Sequence, residues 1–171
     1  PHLVLDGLAV IAAAVGSREA YVYVPSDLSG EMRRIVEVRR IAQWDNTDVT
    51  VVESPSRFVS GEKTAVAAAV EGKQAVPRDQ RTSVSVSGVQ GRPTLIHNVE
   101  TLAHIATIVR YGSDWFRSIG APDEPGTMLA TVSGAVAHPG VVEIPIGLPL
   151  DELLVTHAGA RGAHKVHAVG H

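Results

Sequence analysis

The sequence contains no cysteine and few aromatic residues. Without thiols, the chain can form no disulfide and cannot bind an iron–sulfur cluster through thiolate ligands. Aromatic side chains are 4% of the 171 residues, whereas hydrophobic residues as a whole are 44%. Alanine and valine therefore carry most of the apolar content, and such small side chains favour close packing between helices and a sheet.

Long apolar runs and concentrated positive charge are also missing. No apolar run approaches the ~20 residues that span a bilayer, and residues 8–15 lack the basic flank of a signal peptide. The net charge is −3 with scattered basic residues, whereas nucleic-acid binders present a basic face. The charge run at 31–40 alternates in sign, which indicates the solvated face of a helix. We expect neither direct membrane insertion nor a nucleic-acid partner.

The first 71 residues alternate between helical and strand patterns. Apolar spacing predicts helices over about 2–15, 28–44 and 60–71, with buried strands at 21–24 and 49–52 between them. This order is typical of an α/β layer with a mostly parallel sheet. A long connector then spans 72–93, and connectors of that length are usually functional or disordered. Two further helices are predicted at about 99–111 and 114–118.

Proline and glycine at 121–126 mark a domain boundary. After it come two predicted strands, a short helix and a third strand, at 127–136, 141–144, 150–155 and 165–169. That ββαβ order is typical of a small β-grasp, ubiquitin-like module. We therefore predict two domains, 1–121 and 127–171, the second truncated at its C-terminus. The start at Pro1 and the end at His171 indicate a fragment of a longer protein.

Four motifs along the chain are specific when taken together. They read S-G-E-K-T-A at 60–65, G-R-P-T at 91–94, N-V-E-T-L at 98–102 and G-S-D-W-F at 112–116. In this order they resemble the flavin-carrying, NADH-oxidising subunits of respiratory complex I, in which the first motif reads C-G-E-E-T-A. The same flavin fold occurs in subunits of formate dehydrogenases and NAD-reducing hydrogenases.

The resemblance implies both a fold and an activity. Residues 1–121 would be the second half of a Rossmann-like flavin-binding α/β domain, followed by a soluble-ligand-binding β-grasp domain. In the intact protein, FMN would pass electrons from a reduced donor to iron–sulfur clusters, with a 4Fe-4S cluster in a C-terminal region beyond this chain. Other subunits of an electron-transfer complex would be the partners, in the cytoplasm or peripheral to the inner membrane. The fragment alone is not expected to catalyse a reaction.

The resemblance also places the cofactor contacts at the starts of two helices. They are Gly61, Glu62, Lys63, His97, Asn98 and Thr101. A helix N-terminus exposes unpaired N–H groups and partial positive charge, which suit a phosphate or a flavin carbonyl. The residue types alone equally allow a structural interpretation, in which Asn98 is an N-cap and Glu62 complements the helix dipole. No catalytic residue is predicted.

Several positions depart from the family. Lys63 replaces a second acidic residue, His97 replaces the first asparagine of a pair, and Gln80 and Ser83 replace a lysine and a phenylalanine that contact NADH. A serine cannot stack on an adenine, so NAD is not expected as a cofactor. Two alternatives stay open: a relative that exchanges electrons with a ferredoxin-like protein, and a non-redox binding or structural subunit.

The histidines near the end of the chain do not predict a metal site. His164 and His167 would face opposite sides of the predicted strand, and His171 follows at irregular spacing. Solvated imidazoles are the simpler interpretation.

Overall fold

The computed structural model of the chain describes residues 1–79 and 81–160, and these belong to two compact units. The first unit is 1–106 and the second begins at Thr107. The predicted domain limits, 1–121 and 127–171, fall later along the chain and stay a prediction. The predicted strand 165–169 and the three terminal histidines lie outside the described residues.

A parallel strand pair organises the first unit. The chain forms helix α1 (His2–Val15), strand β1 (Glu19–Pro25), helix α2 (Ser26–Ile41) and strand β2 (Asp48–Ser54). β1 and β2 pair in parallel, with Glu19 opposite Asp48 and Pro25 opposite Ser54. The mixed α/β fold and the order of these elements are thus as predicted. Gly16 ends α1 in the left-handed region, with φ of 70°, as expected of a C-capping glycine.

Helices α1 and α2 cover one face of this strand pair. The buried cluster there is Leu5, Val22, Val24 and Ile35. Val49 and Val51 of β2 pack against it but are only half-buried, so the prediction of a second buried strand was too strong. Alternation along β1 explains the burial of Val22 and Val24, because side chains two residues apart share a face.

A buried arginine joins three segments of the first unit. Arg39 of α2 is 4% exposed, and its guanidinium contacts Asp6 of α1 at 2.8 Å and Asp45 at 2.7 Å. It also lies 5.6 Å from the Trp44 ring centroid. The hydrogen bonds that Arg39 donates, first to Asp45 and then to Asp6, raise the pKa of Arg39. The prediction that the charged residues of this helix are solvated is therefore wrong for Arg39. Its positive charge can be buried because two carboxylates pair with it.

The rest of the first unit packs through small residues. Helix α3 (Lys63–Val70) buries three alanines, and helix α4 (Val99–Tyr111) begins after the long connector. A Cβ built on Gly7 of α1 would overlap the carbonyl oxygen of Leu102 in α4. Glycine at position 7 therefore lets α1 and α4 approach backbone to backbone.

The second unit contains an antiparallel hairpin. After helix α5 (Ser113–Arg117), strands β3 (Thr127–Val132) and β4 (Gly140–Pro145) pair with Val132 opposite Gly140. Helix α6 (Leu150–Glu152) continues as a π-helical turn over Leu153–His157. The buried cluster is Val132, Ile144, Leu153 and Ala158. β3 ends four residues earlier than predicted, just before the Gly134 turn, where φ is 94°.

No helix in the described part of the chain combines the length and apolar character needed to cross a membrane.

Candidate functional site

A cavity of about 800 Å³ lies within the first unit. Its walls come from α1, β1, one side of α3 and the segment 89–102, and its size is typical of a cofactor site. The cavity brings together five of the six predicted cofactor residues: Gly61, Lys63, His97, Asn98 and Thr101. The sixth, Glu62, is not among the lining residues.

Gly61 has no structural need to be glycine. Its φ lies outside the left-handed region, so the backbone there suits any L-residue. A Cβ added at this position would meet no heavy atom within 4 Å, so packing does not require glycine either. The glycine instead leaves open space at the cavity wall, which suits the close approach of a ligand to the backbone.

Glu62 caps helix α3 with its own carboxylate. Oε2 accepts hydrogen bonds from the backbone N–H of Thr64 at 2.9 Å and of Ala65 at 3.1 Å, and also from the Thr64 hydroxyl. The hydrogen bond from the Thr64 hydroxyl, followed by those from the backbone, lowers the pKa of Glu62. The structural interpretation of Glu62 therefore has a clear geometric basis.

Asn98 caps helix α4 with its side-chain oxygen, and the cap does not use the other polar side-chain groups nearby. Its Oδ1 accepts from the backbone N–H of Thr101 at 2.7 Å, as the sequence indicated. Within the described residues, the Asn98 amide nitrogen and the Thr101 hydroxyl have no partner, and both residues line the cavity. These two groups can form hydrogen bonds with a ligand while the cap stays intact.

Tyr23 is a cavity residue that the sequence reasoning missed. Its hydroxyl is buried and has no hydrogen-bond partner among the described residues. An unpaired buried hydroxyl costs about 1–3 kcal/mol, so an occupant that pairs with it would be favoured. The available signal was strand alternation, which puts Tyr23 on the face of β1 opposite Val22 and Val24.

The charged lining of the cavity is mostly positive. Lys63 and Arg92 line it, and neither side chain has a hydrogen-bond or ion-pair partner in the described part of the chain. Glu19 is the acidic residue among the described lining residues. The open space at Gly61, the unused polar groups and this positive charge together fit an anionic, ring-bearing nucleotide such as FMN.

The positions predicted to have lost NADH contacts are not gathered in one place. Lys63 lines the cavity, whereas Ser83 does not, and the Ser83 hydroxyl shares a hydrogen bond of 2.8 Å with Ser85. Gln80 lies outside the described residues.

The Glu71 carboxylate, at the C-terminal end of α3, accepts hydrogen bonds from three residues of the long connector. Its Oε2 accepts from Lys73 Nζ at 2.6 Å and from the Arg78 guanidinium at 3.2 Å, and its Oε1 accepts from the backbone N–H of Gln90 at 2.8 Å. These contacts, led by the hydrogen bond from Lys73, lower the pKa of Glu71 to about 2.

This low pKa predicts a loss of stability in acid. Because the pKa of Glu71 is lower in the folded protein than its ordinary 4.5, its contribution is complete above about pH 4.5 and is lost as the pH falls towards 2. Over that range we expect the free energy of unfolding to fall by about 1–2 kcal/mol more in the wild type than in Glu71→Gln.

Urea unfolding at a series of pH values measures this difference. Glu31→Gln, an exposed substitution on α2, is the control and should follow the wild-type profile. If the free energy of unfolding changed with pH in the same way in the wild type and in Glu71→Gln, the prediction would be contradicted.

Residues 1–107 match the Nuo51 FMN-binding domain and residues 129–167 match the SLBB domain. The chain is 38% identical over 182 residues to the second F subunit of NADH-quinone oxidoreductase from Rhizobium meliloti (strain 1021), covering 99% of this chain and 43% of the relative. It is 33% identical over 178 residues to the F subunit of the same enzyme from Mycobacterium tuberculosis (strain ATCC 25618 / H37Rv). That match covers 97% of this chain and 40% of the relative. The chain thus spans about two fifths of these curated relatives.

Solved structures agree with this similarity. The crystal structure of an NAD+-reducing nickel–iron hydrogenase in the air-oxidised state has a TM-score of 0.82 and 31% identity, covering 92% of this chain and 28% of the hydrogenase chain. The hydrogen-reduced state has a TM-score of 0.81, 33% identity and coverage of 91% and 28%. Since the matching segment includes most of the chain and all of the cavity lining, the protein belongs to the family of the Nuo51 FMN-binding domain.

Proposed function

We propose that the first unit is the FMN-holding part of an electron-transfer flavoprotein. The observation that carries the proposal is the cavity shared by Gly61, Asn98 and Thr101, where the glycine leaves open space and the polar side chains offer unused groups. In this proposal the first domain is the second half of a Rossmann-like flavin domain, and the second domain is a β-grasp module.

The protein's part in such chemistry is binding and orientation. FMN, when bound, accepts electrons in a pair and releases them singly to iron–sulfur clusters. The Gly61 backbone gives the cofactor access to the start of α3, the Asn98 amide and Thr101 hydroxyl supply hydrogen-bond groups, and the Lys63 ammonium supplies positive charge. Glu62 acts through the cap that fixes the first turn of α3.

We propose that other subunits of an electron-transfer complex are the partners and provide the link to the inner membrane. The outer face of the hairpin in the second unit supports a contact there. Leu129 is 49% exposed and Val141 is 63% exposed, and register places both on the face opposite buried Ile144. Exposed apolar side chains of this kind are typical of protein contact surfaces.

This segment, taken on its own, is expected to bind NADH negligibly. The stacking ring of the family is Ser83 here, and an acid of the family is Lys63. Loss of a stacking ring costs about 1–3 kcal/mol by analogy with bases stacked on aromatic side chains. Calorimetric titration should therefore detect no NADH binding in the micromolar range. Micromolar binding to the wild type would contradict the prediction.

A ferredoxin-like protein is the second candidate for the electron partner. The observation that favours it is the replacement of the family's NADH-contacting phenylalanine and lysine by Ser83 and Gln80. A protein without these two contacts would need an electron partner other than NADH.

Anaerobic visible spectra of the intact, FMN-loaded protein separate these functions. Bleaching of the flavin by NADH supports an NADH-dehydrogenase-type role. Bleaching by reduced ferredoxin alone supports the second candidate. Failure to bind FMN at all would contradict both and support a non-redox binding or structural role.

A further inference from the structure

We propose that Glu71 is a positioning residue for the cavity: by holding the turn at Gln90 and Gly91, it sets the cavity wall that continues to Asn98. Glu71 does not line the cavity itself. It would act through the turn, and its effect on ligand binding rests on the proposed FMN-binding function.

The turn that Glu71 holds has an unfavourable backbone conformation. Gln90 has φ of 53°, and it is one of two non-glycine residues with positive φ in the described part of the chain. Gly91 follows with φ of 73°. An L-residue rarely adopts this region without a compensating contact. The hydrogen bond of 2.8 Å from the Gln90 N–H to Glu71 Oε1 is such a contact.

The carboxylate is well placed to act as a fixed anchor. The Glu71 side chain is 11% exposed and directly follows α3, a helix that buries three alanines. Lys73 and Arg78 occupy its other oxygen, Oε2, which leaves Oε1 for Gln90. Charge-assisted hydrogen bonds are stronger than neutral ones, so the anchor restrains the turn more firmly than an amide would.

A chain of hydrogen bonds connects this anchor to the other end of α3. The Arg78 backbone N–H donates to the Thr64 hydroxyl at 2.8 Å, and that hydroxyl donates to Glu62. The connector is thus fastened to both ends of α3. Gly61 and Lys63 line the cavity at one end of the network, and Gln90 lines it at the other. A shift of the turn would therefore change the distance across the cavity.

The test compares Glu71→Gln with the wild type and with Glu31→Gln as a matched control on α2. We expect Glu71→Gln to weaken FMN binding about tenfold and to speed amide hydrogen exchange at Gln90 about tenfold. Exchange in β1 should stay unchanged. Glu31→Gln should leave all these quantities at their wild-type values. Because exchange is measured in the flavin-free protein, it tests the anchor separately from FMN binding.

A second substitution distinguishes positioning from a general structural role. Gln90→Gly removes the strain of positive φ at that position. In the Glu71→Gln background it should restore part of the FMN affinity, which a structural defect elsewhere would not allow. Unchanged FMN affinity in Glu71→Gln would overturn the proposal, as would equal acceleration of exchange throughout the first unit. If the Gln90 amide of the wild type were protected from hydrogen exchange but the protein did not bind FMN, the proposed function would be overturned. The ligand-positioning role of Glu71 would then be overturned as well.

Discussion

Replacing Gly7 with alanine is expected to lower the free energy of unfolding by about 3 kcal/mol. The added Cβ would overlap the carbonyl oxygen of Leu102, and this atom belongs to helix backbone that cannot rotate away. Helix α4 would have to move, and with it Asn98 and Thr101 at its start. FMN affinity should therefore fall together with stability.

Gly30→Ala is the matched control for this prediction. Gly30 lies in helix α2, and a Cβ there would have no heavy atom within 4 Å. Alanine is the better helix former, so this change should raise stability by roughly 0.5–1 kcal/mol. Chemical unfolding of both variants measures the difference. Equal stability of Gly7→Ala and the wild type would show that α1 and α4 are not in backbone contact.

Replacing Gly61 with alanine should separate ligand binding from folding. Because the space at its Cβ is empty and its φ is ordinary, the flavin-free protein should melt within about 2 °C of the wild type. The methyl group would occupy the open space at the cavity wall, so FMN affinity should fall at least tenfold, or about 1.4 kcal/mol.

Two measurements on this one variant decide the role of Gly61. FMN affinity comes from fluorescence titration and the melting temperature from calorimetry of the flavin-free protein. Unchanged affinity would remove Gly61 from the site. A melting temperature lowered by many degrees would instead indicate that the backbone there needs glycine. Gly30→Ala again serves as the control, since it lies outside the cavity lining.

Features that depend on neighbouring residues could be predicted from the sequence. The periodicity of residues 2–15 followed by Gly16 specified a helix and its end, and the structure has both. The N-cap at Asn98 was also predictable, because an asparagine three residues before a first-turn threonine can reach its N–H. Local hydrogen bonding decides each of these features.

Features that depend on distant residues could not be predicted. Arg39 belongs to a charged helix face by sequence, yet Asp6 lies 33 positions earlier and permits its burial. The hydrogen bond from Gln90 to Glu71 spans 19 residues and leaves no periodic signal. The need for glycine at position 7 arises from the Leu102 backbone, which the sequence does not place beside it.

The candidate site lies between these cases. The two helix starts were predictable, and the cavity brings both to one place. The motif at 60–65, however, could not show which of its residues lines the cavity and which one caps the helix. Glu62 and Lys63 are neighbours in one turn, and only Lys63 lines the cavity. That distinction depends on the direction of each side chain from the backbone.

Equilibrium dialysis of the purified protein against FMN tests the central claim most directly. We expect saturable binding of one FMN per chain, with riboflavin bound more weakly because it lacks the phosphate that the positive charge of Lys63 and Arg92 would attract. Absence of saturable FMN binding would contradict the claim that this cavity holds the cofactor.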